Sequence, residues 1–115
     1  NLIGTREFSL LPKGAFLINA SRGGLIDRQA LTAALDHGSL GGVALDVYWQ
    51  EPTTPGDPLF RHPKLLCTPH IAGVTDTSDR GTCVGVVENI RRVMAGELPL
   101  NCANPNVNMK GCFRA

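Results

Sequence analysis

AFLINASRGGLIDRQALTAALDHGSLGGVALDV (residues 15–47) decides how this chain folds. Its first five residues, Ala15-Phe16-Leu17-Ile18-Asn19, form an unbroken apolar run, the pattern of a strand covered on both faces. Asp27 then opens a helix as its N-cap. Ala30, Leu31, Ala34 and Leu35 fall at i, i+1, i+4 and i+5, which puts one apolar stripe along that helix, and Gly38 supplies the left-handed stop. Gly42-Val43-Ala44-Leu45-Asp46-Val47 is the second strand. Strand, helix and strand joined by short turns make a βαβ unit, the building block of a parallel sheet.

Outward from this unit, Thr5 to Leu11 reads as a short helix with Thr5 as N-cap and Pro12-Lys13-Gly14 closing it. The stretch from Tyr48 to Lys64 is proline-rich and aperiodic, and loops of that length are usually functional. Leu65-Leu66-Cys67-Thr68 gives a third strand, ended by Pro69. From about Thr77 to Gly96 an amphipathic helix is expected, with Val84, Val87, Glu88, Arg91 and Met94 along successive turns and Cys83, Val86, Ile90 and Val93 widening the apolar face. Residues 97–115 are rich in Asn, Pro and Gly and read as an extended tail. No G-x-G-x-x-G occurs. Gly38-Ser39-Leu40-Gly41-Gly42 is the densest glycine cluster, but it follows a helix and precedes a strand, so it reads as a turn at the wrong end of the sheet to cradle a pyrophosphate.

The chain has 115 residues, 43% hydrophobic and 18% charged, with a formal net charge of +1. That length allows one modest core. Interspersed charges give no footprint for nucleic acid or anionic lipid, and no run approaches the roughly 18 apolar residues of a membrane span. Small molecules and other protein surfaces are the expected partners, and a cytoplasmic location is the expected one. Cys67, Cys83, Cys102 and Cys112 show no paired spacing. Cys67 and Cys83 fall in elements expected to be core, so reduced thiols are expected. A metal site built from His62, Cys67 and His70 has no fourth ligand, and none is expected. Asn19-Ala20-Ser21 matches a glycosylation sequon by letter only, since it closes a buried strand.

Chemistry concentrates in three islands that each follow a strand: Asn19-Ala20-Ser21-Arg22-Gly23, Leu45-Asp46-Val47-Tyr48-Trp49-Gln50-Glu51-Pro52 and Thr68-Pro69-His70-Ile71-Ala72-Gly73. Open parallel sheets bind ligands beyond the carboxyl ends of their strands. Arg22 can fork onto a carboxylate, and the glycines after it let backbone approach a ligand closely. Glu51 and His70, beside prolines on neighbouring strand ends, can share a proton.

In order and spacing these islands resemble the D-isomer-specific 2-hydroxyacid dehydrogenases, from about Leu2 to about Val107. The resemblance implies an α/β fold: the late part of a Rossmann-type parallel sheet domain followed by a long interdomain helix, as a fragment of a larger two-domain enzyme. Residues 1–74 would be the C-terminal part of the NAD(P)-binding domain, 75–96 the helix returning to the substrate domain, and 97–115 the tail. Arg22 would bind the substrate carboxylate, His70 would be the acid/base, and Glu51 would orient it and favour its protonated form. Ala20, Ser21, Arg22, Asp46, His70, Ile71 and Ala72 would contact the cofactor, Asp46 by accepting from the nicotinamide carboxamide. Related formate dehydrogenases carry glutamine at the position of Glu51, so glutamate implies a hydroxyacid substrate. The implied cofactor is NAD or NADP, the choice resting on a residue outside this chain. The implied partners are a small 2-oxo or 2-hydroxy acid and a second copy of the full-length enzyme. The 115-residue chain alone is expected to be inactive. A nicotinamide-sensing corepressor on the same fold is the alternative reading.

Overall fold

Three parallel strands, β1 (Ala15–Asn19), β2 (Leu40–Leu45) and β3 (Leu65–Cys67), lie side by side in that order. β1 pairs with β2 from Phe16 opposite Gly42 to Asn19 opposite Leu45. β2 pairs with β3 from Val43 opposite Leu65 to Leu45 opposite Cys67. All three carboxyl ends therefore share one edge, where Ala20, Asp46 and Thr68 follow their strands. β2 starts and ends two residues earlier than the sequence predicts. Leu40, only 1% exposed, is drawn into the sheet opposite Ala15, and the reading of 38–42 as a turn holds only for Gly38 and Ser39.

The structure, a computed structural model, describes residues 1–104. Its contacts gather into two units, Asn1–Ala72 and a second beginning at Gly73. In the first, α1 (Thr5–Leu10) and α2 (Arg28–Asp36) pack on each other and supply one layer. Asp27 caps α2 as expected, its carboxylate accepting from the Ala30 N–H at 2.8 Å. Gly38, at φ 71°, occupies the left-handed region that ends the helix cheaply. The cap of α1 is Gly4 rather than Thr5, because Glu7 reaches back to accept from the Gly4 N–H at 2.9 Å. The stripe of Ala30, Leu31, Ala34 and Leu35 is buried against Leu40, Val43 and Leu45.

In the sheet, expectations of burial fail at both outer strands. Phe16 and Ile18 are 79% and 77% exposed, because α2 covers only one face of β1 among the described residues and the alternating pleat turns these two side chains to the other. Cys67 is exposed for a similar reason, lying at the end of the edge strand β3. The connection from Tyr48 to Lys64 is tied down rather than loose. Trp49 Nε1 donates to the Ile26 carbonyl at 2.6 Å, Arg28 pairs with Asp57 and lies 5.7 Å from the Trp49 ring centre, and the 3-10 turn Pro58–Arg61 buries Leu59.

The second unit is built on α3 (Asp76–Met94), capped by a reciprocal pair in which Thr75 and Ser78 satisfy each other's backbone N–H. None of its residues is buried, and Cys83 is exposed with them. No helix among the described residues is long and apolar enough to cross a membrane. The start of the expected extended tail instead folds back on α3: the Leu98 carbonyl accepts from Arg92, and the Leu100 N–H donates to Asn89. The rest of that predicted tail, with Cys112, lies outside the described residues. No disulfide joins Cys67, Cys83 or Cys102.

Leu31 is fully buried between α2 and the sheet. Truncation to Ala is expected to destabilise the first unit by about 2–5 kcal/mol, the range for a core leucine leaving a cavity. Denaturant unfolding of Leu31→Ala beside the parent protein measures this.

Candidate active site

Each strand hands its island to a different local device. At the end of β1, the buried Asn19 folds its side chain over the next turn: Nδ2 donates to the Arg22 carbonyl at 3.0 Å and Oδ1 accepts from the Ser21 N–H at 3.1 Å. This buried, doubly bonded amide is no glycan acceptor. The turn leaves Ala20, Ser21 and Arg22 exposed, and Arg22 Nη1 donates to the Ser21 carbonyl at 2.7 Å. Gly23 is buried against the second island, and a Cβ there would overlap the Tyr48 carbonyl and the Trp49 nitrogen. Only glycine lets the Arg22 turn seat this closely.

At the end of β2, Asp46 is 6% exposed and its carboxylate is largely committed. Oδ1 accepts from Thr68 Oγ1 at 2.6 Å and from the Ile71 N–H at 2.9 Å, and Oδ2 accepts from the Ala72 N–H at 3.0 Å. Three of a carboxylate's roughly four acceptor positions are thus occupied. The Thr68 hydroxyl, opposed by partial burial and aided by the two N–H groups and the nearby His70, holds the Asp46 carboxyl below the usual carboxylate range. Bringing two successive N–H groups onto one carboxylate requires a tight reversal of chain, and His70 supplies it at φ 55°. Histidine is among the residues that tolerate the left-handed region.

That reversal places His70 Nδ1 2.7 Å from Glu51 Oε2. Glu51 is fixed at its other oxygen, Oε1 accepting from the Tyr48 N–H at 2.9 Å. The His70 hydrogen bond, then the Tyr48 N–H, and at longer range the charge of Arg22, hold the Glu51 carboxyl below its ordinary value. Both side chains remain partly exposed, 45% for His70 and 37% for Glu51. With Nδ1 taken by Glu51, His70 Nε2 has no hydrogen-bond partner among the described residues.

The structure therefore brings Glu51 and His70 into contact and sets Arg22 within electrostatic reach of Glu51. It commits the N–H groups of Ile71 and Ala72 to Asp46, leaving those residues only side chains and carbonyls for other contacts. The other histidines stand apart: His37 is the C-cap of α2, and His62 accepts from the Lys64 N–H. No group of three His, Cys, Asp or Glu side chains gathers as metal ligands among the described residues. Clefts of about 360 Å³ beside α2 and about 320 Å³ beside Tyr48 include none of Arg22, Glu51 and His70. Asn19, Tyr48 and Thr68 build the site yet escape sequence reasoning, and Gly23, expected to let backbone approach a ligand, instead lets the first island approach the backbone of Tyr48 and Trp49. An amide closing a strand is a turn signal, so Asn19 alone offered one.

What the arrangement can do chemically is move a proton at His70 Nε2 while Glu51 holds the opposite side of the ring, with a guanidinium nearby for an anion. It also fits the nicotinamide end of a dinucleotide, because Asp46 keeps one acceptor position for an amide N–H. No glycine-rich turn is present to hold a pyrophosphate.

A family model, the NAD binding domain of D-isomer specific 2-hydroxyacid dehydrogenases, matches residues 1–72. The glyoxylate/hydroxypyruvate reductase B of Yersinia enterocolitica is 36% identical over 107 residues, 93% of this chain and 33% of that protein. The chain spans about a third of the length of the curated relatives it matches. Among solved structures, a D-isomer specific 2-hydroxyacid dehydrogenase from Xanthobacter autotrophicus Py2, in complex with NADPH and MES, is 38% identical with a TM-score of 0.74, over 97% of this chain and 44% of that one. A D-lactate dehydrogenase with NAD+ from Lactobacillus jensenii is 29% identical with a TM-score of 0.74, over 87% and 34%.

The Asp46 clamp makes a pH-dependent prediction. Its carboxyl is lowered in the fold, so its stabilisation is present above the ordinary aspartate value of about 4 and is lost as the pH falls toward the folded value. In Asp46→Asn an amide N–H2 faces one of the N–H groups it must accept from. The variant is expected to unfold earlier than the parent at pH 7, and the gap is expected to narrow below about pH 4. Parallel melting curves across that range would remove the clamp.

Proposed function

The chain belongs to the D-isomer-specific 2-hydroxyacid dehydrogenases, within their NAD-binding domain, and from that membership we propose that it carries the cofactor-side half of an active site. The intact two-domain enzyme transfers hydride between NAD or NADP and a small D-2-hydroxy acid or the matching 2-oxo acid. The single observation that carries this reading is the 2.7 Å contact between His70 Nδ1 and Glu51 Oε2 beside the exposed Arg22.

Arg22 binds the substrate carboxylate. Its present partner, the neutral Ser21 carbonyl, competes poorly with an anion that accepts two parallel, charge-assisted bonds. Asp46 uses its remaining acceptor position, together with the backbone at Ala20 and Ser21, to fix which ring face meets the substrate. When bound, the nicotinamide supplies or takes the hydride. In the reducing direction negative charge develops on the former carbonyl oxygen, and His70 gives that oxygen its Nε2 proton. In the oxidising direction His70 takes the hydroxyl proton back. Glu51 stabilises the protonated ring in both, and its own carboxyl, held low by His70, stays ionised across the neutral range.

The test is turnover of glyoxylate, hydroxypyruvate and phenylpyruvate by the full-length protein with NADH and NADPH. Arg22→Lys replaces a two-pronged contact with a point charge and is expected to raise KM for the 2-oxo acid about 10- to 100-fold, the equivalent of a charge-assisted bond worth ~1.5–3 kcal/mol. An unchanged KM removes Arg22 from the substrate site. Glu51→Gln puts a neutral amide where the carboxylate holds Nδ1 of the ring, and is expected to lower kcat for reduction while leaving KM for the 2-oxo acid nearly unchanged. A parental kcat in Glu51→Gln dissolves the pair, and no turnover with any 2-oxo acid favours a nicotinamide-sensing role.

A further inference from the structure

Tyr48 is the sole tyrosine of the chain, and it touches all three islands. Its carbonyl lies under Gly23, its N–H donates to Glu51 Oε1 at 2.9 Å, and its phenol donates to the Thr68 carbonyl at 2.6 Å. The Leu45 carbonyl, at 3.2 Å, is a longer second acceptor for the phenol. The Thr68 carbonyl also accepts from the His70 N–H at 3.0 Å, so its two acceptor positions are shared by the phenol and the backbone of His70. The ring is held by an edge-to-face contact with Phe60, centres 5.3 Å apart and planes at 87°. A phenylalanine would keep that contact and the N–H donation. The hydroxyl adds the tie to the Thr68 carbonyl just past β3 and the longer one to the Leu45 carbonyl at the end of β2.

That tie answers a local weakness. β3 pairs over three residues, which is little to anchor a loop carrying a histidine in the left-handed region. Beyond the ladder, the Thr68 N–H reaches the Leu45 carbonyl, and the Tyr48 phenol closes the same junction from its side chain.

We propose that Tyr48 is the positioning residue of this site, its backbone N–H fixing Glu51 and its phenol fixing the strand end that carries His70. One residue thereby sets the separation of the pair. The proposal rests on the reading of Glu51 and His70 as orienter and acid/base. Burial first, then Cys67, pushes the phenol up to about 12, so it remains a donor throughout the neutral range. The charged groups facing the pair within this unit are Asp46, toward His70, and Arg22, toward Glu51. Neither touches the phenol, so removing the hydroxyl leaves both in place.

The experiment follows the Glu51 carboxyl by 13C NMR in full-length protein labelled at glutamate carboxyls, with Glu51→Gln identifying its resonance. His70→Ala, which removes the leading cause of its lowered value, is expected to move the Glu51 titration up. Tyr48→Phe is expected to move it up by less, because the Tyr48 N–H remains, and to lower kcat about fivefold, the rate equivalent of one neutral hydrogen bond, with KM for the 2-oxo acid unchanged. Where Tyr48→Phe does not fold, Phe60→Leu loosens the same ring and is expected to move Glu51 in the same direction. An unmoved Glu51 in a folded variant of either kind, while His70→Ala does move it, overturns the role of Tyr48 alone. A Glu51 titration unmoved by His70→Ala overturns the pairing itself and the proposal with it.

Discussion

The buried carboxylate of Asp46 is the constraint on which the rest of the site depends. An ionised group this enclosed is tolerable only if its oxygens are supplied with donors, and here the donors come from the third island: one hydroxyl and two consecutive backbone N–H groups. Satisfying Asp46 forces the chain after β3 to reverse, and the reversal puts His70 in the left-handed region facing Glu51. The geometry of the Glu51–His70 pair is thus a by-product of solving a burial problem one strand away.

Fixation is unevenly distributed among the side chains of the candidate site. Asp46, Glu51 and the His70 backbone are each held by bonds to main chain, whose positions the sheet dictates. Such preorganisation suits the proton transfer proposed for Glu51 and His70, because misplacement at reacting atoms is costly. Arg22 differs. It is exposed and rests on a neighbouring carbonyl, a contact weak enough for an anion to replace, while Gly23 and Asn19 hold the backbone beneath it. The scaffold is rigid and the cation on it is adjustable.

The long connection after β2 shows how such a site is kept on a small sheet. Trp49 and the Arg28–Asp57 pair fasten it to the start of α2, and Leu59 is buried in the core. Glu51 therefore projects from a segment anchored on both sides, although it lies in the part of the sequence with the least regular pattern.

The sequence by itself determined the parallel βαβ unit, because apolar runs, the Asp27 cap and the Gly38 stop are local signals that do not depend on the rest of the chain. It also determined which residue types stand at the strand ends, and so that Arg22, Glu51 and His70 were the ones to follow. Tertiary structure alone decided where β2 begins, since Leu40 joins the sheet only through the partner opposite it. It decided the exposure of Phe16, Ile18 and Cys67, because an apolar letter does not say whether its face of the sheet is covered. It decided that Asp46 spends most of its oxygens on Thr68, Ile71 and Ala72, and that Tyr48 binds a carbonyl 20 residues away. These contacts join segments distant in sequence through backbone groups that every residue carries, and no pattern of side-chain letters encodes which backbone groups will meet.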